Sequence, residues 1–105
     1  MLKIWKNMIL EKATFDIKKD QLADFKIACK QAVMVISKSK GFKGLEFHQG
    51  IESPTKFVAL ISWETLEDHT VGFRESPLFI EWRKILTPFF NTPPFAEHFN
   101  IFIKS

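Results

Sequence analysis

Three histidines, His48, His69 and His98, provide most of the acid–base chemistry available to this sequence near neutral pH. The chain also contains 12 Phe and 3 Trp but no Tyr, so a reaction that needs a phenol must use another proton donor. Cys29 is the single cysteine, and the histidines form no local ligand pair such as HxxxH. We therefore expect no metal site of the zinc or iron type.

His69 is the strongest candidate for a catalytic group. It lies three residues after Leu66 and four before Phe73, on the side of a predicted helix that is expected to be buried. The helix dipole keeps a histidine near a helix N-terminus neutral, so it can accept a proton or donate a hydrogen bond. A capping or packing role for His69 is the alternative.

Aromatic and polar residues near His69 are candidates for contacts with a substrate. Trp63 and Phe73 could form the walls of a pocket for a flat aromatic ligand, although Trp63 could equally be a core residue. His98 and Asn100 share one side of a predicted strand with Phe102, and such polar groups often bond within the protein. His48 is expected to face solvent.

Two helices are predicted between the strands. The first extends from about Gln21 to Ser39, with Asp20 as a candidate N-cap, because apolar residues recur there at helical spacing. The second begins at Leu66 after Thr65 and restarts at Ser76–Pro77, since serine followed by proline is typical of a helix start. Arg74 lies between these two parts and could hold a phenolate oxygen, unless it pairs with a nearby glutamate.

Alternating or continuous apolar residues predict strands over 8–17, 42–50, 56–63 and 96–103. The resulting order β-α-β-β-α-β is typical of a ferredoxin-like α+β fold, with four antiparallel strands and two helices on one face. Apolar residues are also predicted on the opposite sheet face, namely Leu10, Val58, Leu60 and Phe102, whereas Phe15, Ala59, Ile61 and Phe99 are predicted to face the helices. A monomer would expose that outer patch, so we expect a homodimer through the sheet face.

Composition excludes several classes of function. The formal charge is +3, but the basic residues are scattered, so no nucleic-acid partner is expected. No apolar run is long enough for a signal peptide or a membrane span, and a single cysteine is compatible with a reducing cytoplasm, where we expect the protein to reside. Neither GxGxxG nor a Walker sequence is present, which argues against a nucleotide cofactor.

The order of these residues resembles the antibiotic biosynthesis monooxygenase family. The marks are Trp63 at the end of the third strand, His69 in the first turn of the second helix, and Ser76 followed by Phe79, with Pro93–Pro94 and His98–Phe99 beyond them. The resemblance covers about residues 8–103. It implies a dimeric α+β barrel, with residues 1–7 as an N-terminal extension and residues 8–105 as a single domain.

The resemblance also implies a reaction. Such proteins insert oxygen from O₂ into quinol-like or polycyclic phenolic molecules without a cofactor, in a cleft between sheet and helices. His69 would then accept the proton, Trp63 and Phe73 would be walls, and His98 and Asn100 would contact substrate. A non-oxygenase enzyme such as an isomerase, or a non-catalytic small-molecule-binding or stress-related module, remains possible on the same fold. Without a tyrosine, the proton donor is left open.

Overall fold

Alternation along the first strand decides which of its faces is buried. The computed structural model describes residues 8–105, and the N-terminal extension expected at residues 1–7 lies outside the described residues. Strand β1 (Ile9–Asp16) places Glu11, Ala13 and Phe15 on its buried side, while the residues between them are half-buried. The buried residues of β1 therefore form part of an inner sheet face, under the helices.

The sheet contains three further strands, β2 (Phe42–Gln49), β3 (Lys56–Trp63) and β4 (Phe95–Asn100). Their spatial order is β2-β3-β1-β4, and all neighbouring pairs are antiparallel. Helices α1 (Leu22–Ile36) and α2 (Pro77–Leu86) cover the inner face, so the predicted ferredoxin-like α+β fold is confirmed. Because β1 lies between β3 and β4, residues of both strands flank the inward side chains Glu11 and Ala13.

Helix α1 packs through small and aromatic residues. Its buried positions recur every three or four residues and comprise Phe25, Ala28, Cys29, Ala32, Val35 and Ile36. The helix ends at Ile36, three residues earlier than predicted, and a turn then leads to β2. Asp20 lies in a short 3₁₀ turn (Lys19–Gln21), and the N-cap residue Gln21 makes no side-chain capping bond, so the predicted Asp20 cap is wrong.

The helix after β3 begins where the sequence predicts, and its turns then widen from α to π geometry. Thr65 Oγ1 accepts a hydrogen bond of 3.1 Å from the backbone N–H of Asp68, which caps a helix that starts at Leu66. Residues Asp68–Phe73 then form a π-helix. Extended backbone at Ser76 and proline at the first position of α2 separate that π-helix from α2.

The two faces of β4 are the reverse of the prediction. Phe99 is paired with Leu10 and His98 with Glu11, so Phe99 lies on the outer face and His98 on the inner one. Phe102 lies beyond the end of β4 and is 86% exposed. The apolar residues of the outer face are therefore Leu10, Val58, Leu60, Phe95 and Phe99, which we call the outer-face patch. Within residues 8–105, no helix has the length and apolar character needed to cross a membrane.

Candidate active site

The π-helix positions His69 beneath the sheet. The backbone N–H of Arg74 donates to the carbonyl of His69 at 3.0 Å, which is the five-residue spacing of a π-helix. This wider turn places His69 and Phe73 on the buried side, at 3% and 2% exposure, while Val71 remains half-exposed. Single π-helical turns are frequently found at functional sites. The local backbone thus identifies the surroundings of His69 as the region to examine.

A buried carboxylate, Glu11, contacts His69. Its side chain is on the inner face of β1 and the residue is 5% exposed. Glu11 Oε1 accepts a hydrogen bond of 2.9 Å from the indole N–H of Trp63, and His69 Nε2 lies 3.3 Å from the same oxygen. The sequence analysis did not select Glu11. The available signal was a charged residue at an inward position of β1, between Ile9 and Ala13.

His98 completes a chain of three polar side chains. Its Nε2 atom lies 2.8 Å from Nδ1 of His69, within hydrogen-bond distance. Because His98 is paired with Glu11 across β1 and β4, the strand register holds both on the same face. We call this set, in which His69 bridges a carboxylate and a second imidazole, the Glu11–His69–His98 chain. His98 is half-buried, so the chain extends from the core towards solvent.

Burial controls the protonation of this chain. It lowers the pKa of His69 to about 4, with smaller contributions from the positive charge of Arg74 and from His98. Burial also lowers the pKa of His98, again with help from Arg74. Both imidazoles are therefore neutral near pH 7, and the 3.3 Å approach of His69 Nε2 to Glu11 Oε1 is a polar contact rather than an ion pair.

Glu11 is shifted in the opposite direction. Burial raises the pKa of its carboxyl group above 4.5, although the hydrogen bond from Trp63 and the charge of Arg74 oppose that rise. An ionised carboxylate can only accept hydrogen bonds. When Glu11 is ionised, His69 Nε2 must carry the proton of its ring, and His98 Nε2–H must donate to His69 Nδ1. The three groups then have one consistent direction of donation, towards Glu11.

A cavity of about 230 Å³ adjoins the chain. Glu11, His69 and Arg74 are its polar lining residues, and the rest of its lining is apolar, with Phe73, Phe79 and Trp82 among the aromatic residues. A second hollow of about 370 Å³ shares four lining residues with the first, Phe15, Phe79, Trp82 and Pro94. The two hollows are thus neighbours along the space between sheet and α2. Ionisable groups at one end and aromatic walls elsewhere suit a flat ligand with oxygen substituents.

The structure brings four of the five residues selected from sequence together. His69 and Phe73 line the cavity, and Trp63 is fully buried, with its ring centroid 5.3 Å from that of His69. The Trp63 indole therefore stacks against the His69 ring and donates its N–H to Glu11. His98 contacts His69 at the edge of the chain. Asn100, at the end of β4, is exposed.

His48 lies apart from the Glu11–His69–His98 chain. His48 is exposed on β2, as predicted, and its Nε2 lies 2.9 Å from Glu46 Oε1. In the part of the chain that the structure describes, no group of three His, Cys, Asp or Glu side chains is arranged to hold a metal ion.

Comparisons with known proteins show the family of this chain. Residues 8–85 match the family model of the antibiotic biosynthesis monooxygenases. The uncharacterised Bacillus subtilis protein YczJ is 39% identical over 92 residues, which are 88% of this chain and 97% of YczJ. A solved structure from Bordetella bronchiseptica that carries the family name is 33% identical, covers 92% of this chain and 99% of its own, and has a TM-score of 0.89. The chain belongs to the antibiotic biosynthesis monooxygenase family.

A more distant structure shares the fold. SnoaB from Streptomyces nogalater, a cofactor-independent oxygenase, has a TM-score of 0.79 at 12% identity and covers 93% of this chain and 96% of its own. At that identity the comparison shows the fold alone, so the residues of this chain must carry the argument for its chemistry.

Proposed function

We propose that this protein is a cofactor-independent monooxygenase that acts on a quinol-like or polycyclic phenolic molecule. The observation that carries the proposal is the neutral, buried His69, bonded to the buried carboxyl group of Glu11 at the polar end of an aromatic cavity. Family membership supports the same class of reaction.

The reaction needs no external reductant. A hydroquinone and O₂ give a hydroxyquinone and water: one oxygen atom enters the ring, and the two hydrogens that the substrate loses end in the water molecule. Deprotonation of the substrate produces an electron-rich anion that passes an electron to O₂. The protein must supply a dry cavity, a proton acceptor and a group that stabilises the oxyanion.

His69, together with the carboxylate bonded to it, is proposed as the proton acceptor. Burial keeps the imidazole neutral near pH 7, and the Glu11 carboxylate beside it is the group that a substrate can reach without displacing a partner of His69. Arg74 lines the same end of the cavity, and its guanidinium group is proposed to stabilise the oxyanion. Phe73, Phe79 and Trp82 would hold the ring system by stacking, and Trp63 would keep Glu11 in place.

O₂ uptake tests the proposal. Metal-free protein is incubated with a panel of hydroquinones and anthrone-like phenols, and O₂ consumption and product are followed together. We expect His69→Phe to reduce turnover by about 10²–10⁴, the usual contribution of a positioned acid–base group. His48→Phe, at an exposed position of β2, is the matched control and should retain full activity. Equal turnover by wild type and His69→Phe would contradict the assigned role.

An isomerase of a small hydroxyketone is the second candidate. The observation that favours it is the carboxyl–imidazole pair itself, since such a pair can also move a proton between neighbouring carbon atoms. The same assay separates the two reactions, because isomerisation consumes no O₂. Conversion of a hydroxyketone under argon, with no O₂ uptake on any phenol, would replace the oxygenase proposal with this one.

We further propose that the protein is a homodimer through the outer-face patch. Phe95 and Phe99 are 61% and 45% exposed, and Leu10, Val58 and Leu60 are only half-buried in the single chain. Exposed apolar residues that lie together on one sheet face are typical of an interface between subunits. A second copy packed on this patch should bury more than about 1,000 Å².

A further inference from the structure

The cavity lacks an obvious proton donor. The sequence has no tyrosine, and both nitrogen atoms of His69 already have protein partners, Glu11 and His98. A substrate that contacts His69 directly must displace one of them. Glu11 is placed differently: among residues 8–105, the hydrogen bond from Trp63 and the contact with His69 are both made to Oε1, so we infer that Oε2 is available to a molecule in the cavity.

We propose that Glu11, His69 and His98 form a proton relay, in which the Glu11 carboxyl group exchanges protons with the substrate and His98 exchanges them with solvent. The substrate in this inference rests on the proposed function. The route of the proton is inferred from the geometry of the Glu11–His69–His98 chain alone. His69 contacts Glu11 through Nε2, at 3.3 Å, and His98 through Nδ1, at 2.8 Å, so the two contacts use different nitrogens of the ring. An imidazole used in this way can gain a proton at one nitrogen while it loses one at the other.

One shift of the relay moves one proton. His69 Nε2–H passes its proton to Glu11 Oε1, His98 Nε2–H passes its proton to His69 Nδ1, and His98 Nδ1 takes up a proton from water. The result is a neutral Glu11 carboxylic acid with two neutral imidazoles, so no charged imidazole has to persist in the core. The acid can then supply a proton to the oxygen atom of O₂ that leaves as water. The reverse shift returns to solvent a proton that Glu11 has taken from the substrate.

The surroundings of the chain agree with this direction of transfer. Exposure increases from Glu11 and His69, which are both buried, to His98, which is half-buried at the sheet edge formed by β4. Trp63 donates to the same carboxyl oxygen as His69 and fixes its position. Arg74 is the charged group that faces both imidazoles and the carboxyl group, and it favours the ionised form of Glu11. Burial opposes that preference, which lets the carboxyl group alternate between its two forms.

Hydrogen exchange tests the relay without any substrate. In protein with ¹⁵N-labelled histidine, NMR measures how fast the ring N–H of His69 exchanges with water. His98→Gln preserves a hydrogen-bonding partner for His69 but cannot carry a proton between two nitrogens. We expect this change to slow the exchange by about 10²-fold, the lower end of the contribution of a positioned proton-transfer group. His48→Gln should leave the rate unchanged. An unchanged rate in His98→Gln would overturn the relay.

Turnover provides the second test. We expect Glu11→Gln, which retains an acceptor for Trp63 but holds no exchangeable acid, to bind the phenol and lose about 10²–10⁴ of its turnover. His98→Ala should be slowed and then restored by added imidazole, whereas His48→Ala should show neither effect. Full turnover in Glu11→Gln would refute the relay. If even wild type consumes no O₂, the oxygenase proposal fails, and the exchange measurement still decides the relay.

Discussion

Acid should destabilise this protein through His69, by an amount that its burial determines. The ordinary histidine pKa of 6.5 applies to the unfolded chain, whereas burial lowers the folded value to about 4. Between these values the unfolded state binds more protons than the folded state, so the free energy of unfolding falls as pH falls from about 6.5 towards 4. The complete difference corresponds to about 3 kcal/mol, of which about 2 kcal/mol appears between about pH 7 and pH 4.5.

Urea unfolding at these two pH values measures the effect. Other groups also titrate in this range, so the quantity of interest is the pH-dependent loss in wild type minus that in His69→Phe. Glu11 shares the contact and its folded pKa is raised, which gives a contribution of opposite sign that is lost as pH rises. The comparison is therefore repeated on the Glu11→Gln background, where the imidazole is the member of this pair that titrates.

Between these two pH values, protein with His69 should lose about 2 kcal/mol more of its free energy of unfolding than protein with His69→Phe. This difference should be the same with Glu11 and with Glu11→Gln. His48→Phe, which replaces an exposed histidine, should show the same acid sensitivity as wild type. Equal losses in wild type and His69→Phe would show that the imidazole is not buried in its neutral form. The tautomer argument for the relay would then lose its basis.

Three other substitutions test separate parts of the structure. Trp63→Phe removes the indole N–H that donates a hydrogen bond to the buried carboxylate of Glu11. Urea unfolding should therefore show a free energy of unfolding lower by about 1–3 kcal/mol. Leu60→Lys places a charge in the outer-face patch and should yield monomer in analytical ultracentrifugation; a wild type that is already monomeric at micromolar concentration would remove the dimer proposal. Gly41→Ala adds a methyl group at φ +81°, against the side chain of Asp68, and should lower the melting temperature. Gly72→Ala places its methyl group in ordinary contact with the Glu67 carbonyl oxygen, at 3.8 Å, and should not lower it.

Local sequence patterns were sufficient for the order of elements. Alternation in β1 and β3, helical spacing in α1, and the Ser76–Pro77 start of α2 each reflect a property of a few neighbouring residues, and together they specified the ferredoxin-like fold. The end of α1 and the missing Asp20 cap were predicted less well. Helix ends depend on how the following turn packs, which a local pattern does not contain.

The sequence also indicated His69, Trp63 and Phe73, because each is an unusual or aromatic residue at an inward position of its own element. It did not indicate Glu11. On β1 alone, a single glutamate between apolar residues is weak grounds for a site, since its partners are 52 and 58 positions away along the chain.

Only the tertiary structure decided how these groups meet. Period-two alternation shows which residues share a face but cannot choose the face, and for β4 the apolar side was the wrong choice. Register with β1 placed His98 opposite Glu11, and the bond to His69 lets a polar side chain occupy the inner face while Phe99 stays outside. A buried polar group needs hydrogen-bond partners beside it. Here those partners lie on three strands and a π-helix, which only the folded chain brings together.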